Sequence, residues 1–474
     1  MYAGYAGIFF ERKAAMFDQQ ETIAAIITAQ GMGAMGAVRI SGSEAFEAAQ
    51  FLFRSKKGTL IQDMPHYALA YGWIYDGDVL LDQALLLKMK GPSSFTGEDV
   101  VELQCHGGPL VLARLLQALV SRGIRMAKPG EFSQRAFLNG KIDLTQAESV
   151  MDLVSSSNRV MAEVAVQQLQ GSLSGKIKAF KEKIIGWIAS IEAEIDFPDE
   201  FPVGLVTSVF ESEIKVMIQQ IDALLETAAY GRIYREGLRL VFYGRPNVGK
   251  SSLLNGLLQQ KRAIVTAEPG TTRDVLEERM MIQGIPILLM DTAGVRDTGN
   301  LAEQEGVERA RGAAAQADLV LFVLDLAQGL TEEDLLLLRD LDPEKTLLIA
   351  NKADLVTNRV LSFEEKVKGF EVCILSAMEQ EGIDALIQKI RERFESGTLT
   401  AGNEAVLINH RQEGALFQAR KALESAQEGL LRGETTDLLS IDLQDAWSYL
   451  GEITGETVKE AVVTEIFARF CLGK

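Results

Sequence analysis

The spacing of hydrophobic and polar positions changes three times along the chain. Between residues 20 and 140, short apolar runs such as Gly36–Ile40 and Val100–Gln104 alternate with glycine-rich turns, which predicts β-strands. From about residue 141 to 235, apolar residues recur three and four positions apart, which predicts amphipathic helices. The helical pattern returns after about residue 400 and continues to the end.

The segment between residues 238 and 395 differs from both, because continuous apolar runs alternate with helical stretches. Such runs are typical of the strands of a parallel sheet that is covered by helices on both faces. The predicted strands are Leu238–Tyr243, Ile285–Met290, Leu319–Leu324, Leu347–Ala350 and Glu371–Leu375.

Helical stretches flank this α/β segment on both sides, so we expect it to be inserted into one helical domain. Two unconnected helical domains are the alternative, but the last stretch would form only a small core by itself. The sequence therefore predicts a multidomain chain of the α/β and α class. Its segments are an N-terminal extension (1–19), an α+β domain (20–140), a first helical segment (141–235), the α/β domain (236–398) and a second helical segment (399–474).

Charge and cysteine content narrow the class of protein. The chain has 66 acidic and 48 basic residues, a net charge of −18, which argues against a protein that coats nucleic acid. Residues 1–140 are neutral, with 13 residues of each sign, so an anionic partner would meet least repulsion there. The three cysteines form no disulfide framework and indicate a reducing cytoplasm. No apolar run reaches the roughly 18 residues of a membrane span.

Residues Gly244–Ser251 read Gly-Arg-Pro-Asn-Val-Gly-Lys-Ser and match the phosphate-loop pattern between a predicted strand and a predicted helix. The glycines let the backbone curl so that its N–H groups face phosphate oxygens, and the helix directs its positive end at the same anion. Lys250 adds a charge near the β and γ phosphates, and the Ser251 hydroxyl can ligate Mg²⁺. The residues assigned to this loop are Asn247, Val248, Gly249, Lys250, Ser251 and Ser252.

Three further motifs follow, each at the end of a predicted strand. Asp291–Gly294 would place a carboxylate near Mg²⁺ and a backbone N–H near the γ-phosphate. The Asp354 carboxylate can accept two hydrogen bonds from guanine, a pair that adenine does not offer. Four such motifs in order predict a GTP-binding protein. The residues assigned here are Asp291, Thr292, Ala293, Gly294, Asn351, Lys352, Asp354, Ser376 and Ala377.

The residue that follows Gly294 is Val295, which cannot orient an attacking water as the glutamine of many GTPases does. Either hydrolysis is slow or another side chain performs this task. The candidates are Arg296, Asp297, Glu303 and Glu305, and a solvated loop is the alternative for the acids.

The four motifs together resemble the translation-factor-like GTPases. Gly270–Asp274 reads Gly-Thr-Thr-Arg-Asp and resembles the first switch segment of their Era and Der branch, where Thr272 would supply a second hydroxyl to Mg²⁺. Met378 departs from the pattern, since many relatives have lysine or arginine at this position.

Segments outside the α/β domain resemble the MnmE (TrmE) family of tRNA-modification GTPases, and the resemblance covers nearly all of the chain from residue 20. General GTPases lack these segments. The family layout implies a P-loop GTPase domain inserted in a helical domain and preceded by a folate-binding domain. The segments are Gly36–Gly42, Ser94–Asp99, Glu102–Gly108, Pro129–Ser133, Arg135–Leu144 and Phe470–Lys474.

The resemblance implies a GTPase that works with a flavoprotein of the MnmG (GidA) family. Together they would modify carbon 5 of the wobble uridine of certain tRNAs. The one-carbon unit would come from 5,10-methylenetetrahydrofolate or a related reduced folate. The family also implies a homodimer formed through the N-terminal domain. The cytoplasmic location and the lack of membrane association are predicted by the cysteine content and the hydrophobic pattern instead.

The resemblance also assigns roles in GTP hydrolysis. Asn247 is similar in position to a K⁺ ligand, with Thr266, Glu268 and Thr271 supplying further oxygens. A monovalent cation there would neutralise charge that develops between the β and γ phosphates. Glu303 corresponds to the carboxylate that orients water. Hydrogen bonding within the loop is the alternative role of Asn247.

The folate contacts implied by the resemblance are Arg39, Glu102 and Lys141, with Lys474 from the C-terminus. Surface ion pairs are the alternative for each of them taken singly. The family also implies a chemical role for Cys471, which would lie beside the one-carbon group of the folate. Packing as a small hydrophobe beside Phe467 and Phe470 is its alternative.

Two rival functions remain at this level. A GTP-dependent ribosome assembly factor of the Era or Der kind would usually have a basic RNA-binding module, whereas the flanking regions here are neutral or acidic. A scaffold that binds GTP without turnover would not need the metal-site residues Ser251, Thr272 and Asp291.

Overall fold

A computed structural model describes residues 21–29, 31–156, 159–196, 205–259, 278–290, 311–356, 364–395, 408–433 and 436–473. Over these residues the chain divides into two compact units. The first is drawn from Met1–Met151, Gln168–Ile218 and Gly414–Lys474, and the second from Asp152–Gln167 and Gln219–Glu413. The domain boundaries expected from the sequence stay a prediction.

The first unit contains a seven-stranded sheet in the order β3-β4-β5-β6-β2-β1-β7. All neighbouring strands are antiparallel except β1 and β7, which are parallel. The strands are β1 (Ile23–Ile26), β2 (Gly33–Ser41), β3 (Phe53–Ser55), β4 (Ala68–Asp76), β5 (Val79–Met89), β6 (Val100–Gly107) and β7 (Arg125–Met126).

Different elements cover the two faces of this sheet. On one face, alternate strand residues such as Val38 and Leu103 pack against α1 (Ala45–Leu52) and α2 (Pro109–Val120). On the opposite face, Ile23 and Ala25 of β1 pack with Ala127 and with Phe132 of α3 (Glu131–Leu138). The strands predicted for residues 20–140 are thus present, and β1 is buried on both faces.

The helices after residue 140 are long and amphipathic, as the three- and four-residue spacing predicts. Several of them, α4, α5, α7 and α12, contribute residues to both units. They are α4 (Leu144–Ser155), α5 (Arg159–Leu169), α6 (Ser172–Asp196), α7 (Leu205–Leu225), α8 (Ala228–Glu236), α12 (His410–Arg432), α13 (Thr436–Thr454) and α14 (Glu460–Ala468).

Within the first unit, α6 packs against α13, although more than 200 residues separate them. Lys181 of α6 has only 6% of its surface exposed, and its Nζ lies 4.2 Å from the centre of the Trp447 ring. The same ammonium group donates a hydrogen bond to Glu456. These contacts support the proposal that the helical stretches before and after the α/β segment form one domain.

The second unit contains a six-stranded sheet in the order β13-β12-β11-β8-β10-β9. Its strands are parallel except for the antiparallel pair β9 and β10. The strands are β8 (Leu238–Tyr243), β9 (Glu278–Ile282), β10 (Ile285–Leu289), β11 (Leu319–Asp325), β12 (Thr346–Asn351) and β13 (Glu371–Ile374). The helices are α9 (Lys250–Gln259), α10 (Glu332–Leu338) and α11 (Ile383–Glu395), and residues 311–316 are also helical.

Both faces of this sheet are buried. In β11, Leu321 and Val323 lie in one apolar cluster while Val320, Phe322 and Leu324 lie in the other. The predicted parallel sheet with helices on both faces, and with it the predicted fold class, is confirmed. No helix in the described ranges has the length and hydropathy that crossing a bilayer requires.

The hydrophobic pattern missed strand β9. It pairs with β10 through a two-residue turn at Gln283 and Gly284, both with positive φ, 47° and 90°. Two such residues are typical of a tight hairpin turn, but the usual signals are Asn-Gly or Asp-Gly. A Gln-Gly turn carries a weaker signal in the sequence, so the hairpin is apparent only from the pairing.

Candidate functional site

The phosphate loop runs from the end of β8 to the start of α9, as its motif requires. Its glycines Gly244 and Gly249 have φ values of +134° and +99°. A Cβ atom at Gly244 would lie 2.3 Å from the Val323 carbonyl oxygen, and one at Gly249 would lie 2.2 Å from Nδ2 of Asn351. Only glycine fits either position.

Lys250 is folded back onto this loop. Its Nζ donates hydrogen bonds to the carbonyl oxygens of Gly244 (2.6 Å) and Arg245 (2.8 Å). Burial lowers the pKa of this ammonium group. Ser251 and Ser252 follow in the first turn of α9, and both are exposed, whereas Val248 is buried beneath the loop.

The Asn351 side chain joins two of the predicted motifs to the phosphate loop. Its Nδ2 donates to the carbonyl of Val248 (2.9 Å), and its Oδ1 accepts from the backbone N–H of Ala377 (3.0 Å). Lys352 donates from Nζ to the Asn247 carbonyl (2.9 Å) and to Oδ2 of Asp325 (2.7 Å). Residues separated by more than 100 positions are thereby brought together.

The residues predicted to recognise guanine lie at the ends of β12 and β13. The Ser376 hydroxyl donates to Oδ1 of Asp354 and accepts from the N–H of Glu379 (3.2 Å). Met378, where many relatives have a basic side chain, follows in the chain and is 80% exposed. The carboxylate of Asp354 is therefore held by a neighbouring turn at the edge of the sheet.

Several predicted site residues lie outside the described ranges of the chain. They are the K⁺ and Mg²⁺ candidates Thr266, Glu268, Thr271 and Thr272, the motif Asp291, Thr292, Ala293 and Gly294, the water-orienting candidates Arg296, Asp297, Glu303 and Glu305, and Lys474.

In the first unit, the predicted folate residues Arg39 and Glu102 face each other on β2 and β6. Arg39 donates from Nε to Oε1 of Glu102 (2.9 Å), and its Nη2 lies 2.8 Å from the same oxygen in an ion pair. The guanidinium carbon of Arg39 lies 5.1 Å from the Phe95 ring centre and 5.4 Å from that of Phe132. Both contacts to Arg39 use Oε1, so within the described part of the chain Oε2 of Glu102 is left for another donor.

Lys141 lies near the loop that carries Phe95. Its side-chain Cγ would be 3.4 Å from a Cβ at Gly97, and Asn139, two residues before it, donates from Nδ2 to the Thr96 carbonyl (2.7 Å). Lys141 itself is exposed. It is therefore connected to the Arg39 site through the loop rather than by a direct contact.

The C-terminal segment docks against this region. The Gly130 N–H donates to the Cys471 carbonyl (3.4 Å), and a Cβ at Gly130 would lie 2.2 Å from the carbonyl oxygen of Phe467. Gly473 approaches the end of β1, where a Cβ would lie 2.4 Å from the Ile26 oxygen. Strand β1 pairs with β2 at Arg39, so the tail lies within a few residues of the Arg39 and Glu102 pair.

The three cysteines differ in accessibility. Burial raises the pKa of the Cys105 thiol to about 11 and also raises the pKa of Cys373. Cys471 is exposed. The two buried thiols are poor nucleophiles, since only the thiolate reacts readily. Arg469, two residues before Cys471, is paired with Glu465 (2.6 Å).

Comparison with known proteins shows two matching families that together span nearly the whole chain. One is described as GTP-binding protein TrmE N-terminus and matches residues 22–141, and the other as MnmE helical domain and matches residues 144–471. The chain is 42% identical over 458 residues to the "tRNA modification GTPase MnmE" of Clostridioides difficile (strain 630). The aligned region covers 96% of this chain and 99% of that protein. The chain belongs to the MnmE family.

A second MnmE relative, from Geobacillus thermodenitrificans (strain NG80-2), is 44% identical over 458 residues, again 96% of this chain and 99% of that protein. Among solved structures, the G domain of the FeoB iron transporter of T. maritima is 29% identical. The aligned region covers 32% of the present chain and 96% of the FeoB G domain. The TM-score is 0.25, which is too low for a comparison of overall folds.

The structure of this MnmE-family chain also contains residues that the sequence motifs missed. Asp325 ends β11 one residue beyond the predicted strand, and it accepts the Lys352 ammonium. Arg245 of the phosphate loop pairs with Asp334 of α10. A capping box formed by Thr331 and Asp334 was a signal that could have drawn attention to Asp334.

Proposed function

We propose that the protein hydrolyses GTP as a step of tRNA modification. The observation that carries this proposal is the convergence of the phosphate loop, Asn351, Asp354 and Ala377 at one edge of the sheet, in a chain 42% identical to proteins named tRNA modification GTPases. This edge is where ligands bind in α/β sheets.

In this reaction, residues of the phosphate loop would bind the phosphates and hold the Mg²⁺ ion. The backbone N–H groups of the loop and of the first turn of α9 would bind the phosphates, and the Lys250 ammonium would move from its carbonyl partners toward them. Hard oxygen ligands suit Mg²⁺, so the exposed Ser251 hydroxyl would hold it together with Thr272. Bound Mg²⁺ neutralises charge on the β and γ phosphates.

Guanine recognition gives the sharpest test of nucleotide binding. Asp354→Asn keeps the shape of the side chain but replaces one acceptor oxygen with a donor amide, which matches xanthine better than guanine. We expect this variant to lose at least about 100-fold in GTP affinity and to gain affinity for XTP. Unchanged GTP binding by this variant would contradict the assigned site.

We further propose that the pair Arg39 and Glu102 binds a reduced folate such as 5,10-methylenetetrahydrofolate. Oε2 of Glu102 would accept from the pterin, and Lys141 or Lys474 would reach the carboxylate tail. The flanking rings of Phe95 and Phe132 offer apolar surface beside the Arg39 guanidinium. The bound folate would supply a one-carbon unit, with a flavoprotein of the MnmG family as the partner in the cytoplasm.

Equilibrium binding of tetrahydrofolate to the full chain tests this site. Glu102→Gln should weaken binding about tenfold or more, since it removes a charged acceptor. Lys57→Gln is a control, because Lys57 is exposed on a loop after β3. Equal binding by both variants would exclude the assigned pocket. An absence of folate binding would favour the ribosome-assembly alternative.

Cys471 is the exposed cysteine, and we propose that it takes part in the modification. Its backbone is anchored at Gly130, two residues from Phe132, whose ring contacts the Arg39 side chain. Cys471→Ser should hydrolyse GTP at the normal rate but lose most tRNA modification when reconstituted with the flavoprotein. Full tRNA modification by this variant would mean that Cys471 only packs as a small hydrophobic residue.

We propose that the chain forms a homodimer through its N-terminal domain. Leu69, Tyr71 and Leu85 are 63%, 43% and 39% exposed, and Tyr71 faces Leu85 across β4 and β5. They lie on the sheet face opposite the α1 and α2 core. Contiguous exposed apolar residues of this kind are typical of an interface, and the family resemblance implies that a second copy covers them.

A further inference from the structure

The segment from Asp325, the last residue of β11, to Asp334 in α10 contacts the phosphate loop although it belongs to none of the four nucleotide motifs. At its far end, Oδ1 of Asp334 accepts a hydrogen bond from Nε of Arg245 at 2.8 Å. At its near end, Oδ2 of Asp325 accepts from Nζ of Lys352 at 2.7 Å, and the same Nζ donates to the Asn247 carbonyl. One short segment therefore holds the loop at residues 245 and 247.

Gln328 connects these two ends. Its Nε2 donates to Oδ2 of Asp325 at 3.1 Å, and its Oε1 accepts from Nη2 of Arg245 at 3.4 Å. With Lys352 and the Asn247 carbonyl, these contacts form a ring that the backbone closes through Pro246. We call this set of contacts the loop ring: Arg245, Asp334, Gln328, Asp325, Lys352 and the carbonyl of Asn247.

The two carboxylates of the loop ring are buried. The side chain of Asp334 is fully shielded from solvent and that of Asp325 is 4% exposed. Asp334 is also fixed by the backbone N–H and the hydroxyl of Thr331, so it cannot turn away to follow Arg245. A buried carboxylate that loses its cation is costly, because desolvation is no longer offset. The ring is thus a rigid attachment.

The loop ring contacts Asn247, whose backbone has a positive φ angle. Asn247 has φ of 62°, in the left-handed region, which is uncommon for residues with a Cβ atom, although asparagine adopts it more readily than most. Contacts from the surroundings help to keep the chain in this conformation. The Lys352 contact to the Asn247 carbonyl is such a restraint, and Arg245 restrains the chain two residues earlier.

We propose that the loop ring is a positioning element that holds residues 245–247 in the geometry needed for GTP hydrolysis. This inference rests on the proposed GTPase function. The proposed phosphate donors are the N–H groups from Val248 onward, which do not belong to the ring, so we expect the ring to affect turnover more than affinity. Displacements of about 1 Å near reacting groups can cost 100-fold in rate.

A double-mutant cycle on the full chain tests the proposal. Arg245→Gln and Asp334→Asn should each lower kcat about tenfold while the Kd for GTP changes less than about threefold. The double variant should be no slower than the slower single variant, since both break the same contact. Arg235→Gln is the control, because Arg235 also forms an ion pair in the same unit, with Asp152; these side chains are 18% and 20% exposed, against 14% and 0% for Arg245 and Asp334.

A second measurement separates positioning from stability and does not depend on turnover. In Arg245→Gln, amide hydrogen exchange should rise in residues 244–250, whereas Arg235→Gln should leave this loop protected even if its Tm falls. Loss of kcat in proportion to Tm in both variants would overturn the positioning role, and so would unchanged loop exchange. If the unaltered chain binds GTP without hydrolysing it, the proposed function fails while loop exchange still decides the inference.

Discussion

Asn247 is a single residue on which the predicted cation dependence rests. Its side chain belongs to the exposed crest of the phosphate loop, and its carbonyl is held by Lys352. Lys352 contacts the backbone carbonyl of Asn247 and not its side-chain amide, so the amide can bind a cation while the backbone stays fixed. A cation bound there would offset charge that develops as the bond between the β and γ phosphates breaks.

We predict that Asn247→Ala binds GTP with nearly normal affinity but loses most of the stimulation by K⁺. The physical reason is that the amide oxygen acts on transition-state charge, whereas the N–H groups that bind the phosphates are retained. Rates in KCl and in NaCl should be compared for both proteins. Equal rates in the two salts for the unaltered chain would contradict a K⁺ site.

Glu303 remains the predicted water-orienting residue, and it lies outside the described ranges of the chain. We expect Glu303→Ala to slow single-turnover hydrolysis by about 100-fold, the usual effect of removing one well-placed polar group. GTP affinity should stay within a few-fold. Glu305→Ala is the control, and an unchanged rate for Glu303→Ala would make Arg296 or Asp297 the next candidate.

At the scale of elements, the docking of the C-terminal tail depends on a glycine. Gly130 has φ of +71°, and any Cβ there would collide with the Phe467 carbonyl. A side chain at this position would therefore have two effects: it would strain the backbone, and it would push the Phe467 carbonyl away. The tail that carries Cys471 is attached through this contact.

We predict that Gly130→Ala lowers the free energy of unfolding by about 1–3 kcal/mol and loosens residues 467–473. Gly123→Ala is a matched control, since Gly123 also has positive φ, +90°, but a Cβ there meets nothing within 4 Å. Hydrogen exchange of the C-terminal peptide should rise in Gly130→Ala alone. An equal rise in both variants would mean that backbone strain, rather than tail docking, is responsible.

At the scale of the whole molecule, the proposed homodimer can be tested by measuring the oligomeric state. A stable homodimer buries about 1,200 Å² or more of total surface, much of it apolar. The exposed face of β4 and β5 is a candidate for such burial. This face belongs to the seven-stranded sheet of the N-terminal segment and not to the nucleotide-binding sheet.

We predict that Leu85→Glu shifts the chain from dimer to monomer in sedimentation velocity, because a carboxylate would be buried in an apolar interface. Leu110→Glu serves as the control, since Leu110 is 74% exposed and lies on α2, which covers the other face of the sheet. A dimer that survives Leu85→Glu would place the interface elsewhere.

The phosphate loop, the parallel strands and the amphipathic helices were predictable from sequence, because each depends on residues only a few positions apart. The spacing of Gly244, Gly249 and Lys250 is a local requirement of the backbone, and the buried strands are continuous apolar runs. The guanine motif at Asp354 is local in the same sense. The family resemblance rests on such short segments as well.

Which distant residues meet was decided by the tertiary structure alone. Arg39 and Glu102 are 63 positions apart, and Arg245 and Asp334 are 89 apart. Such pairs form when strands align in a sheet and helices pack on it, and no local spacing encodes that alignment. The same holds for Gly130, whose conformation is explained only by the tail that packs against it. Local sequence thus determined the nucleotide chemistry, whereas long-range packing determined which side chains hold it in place.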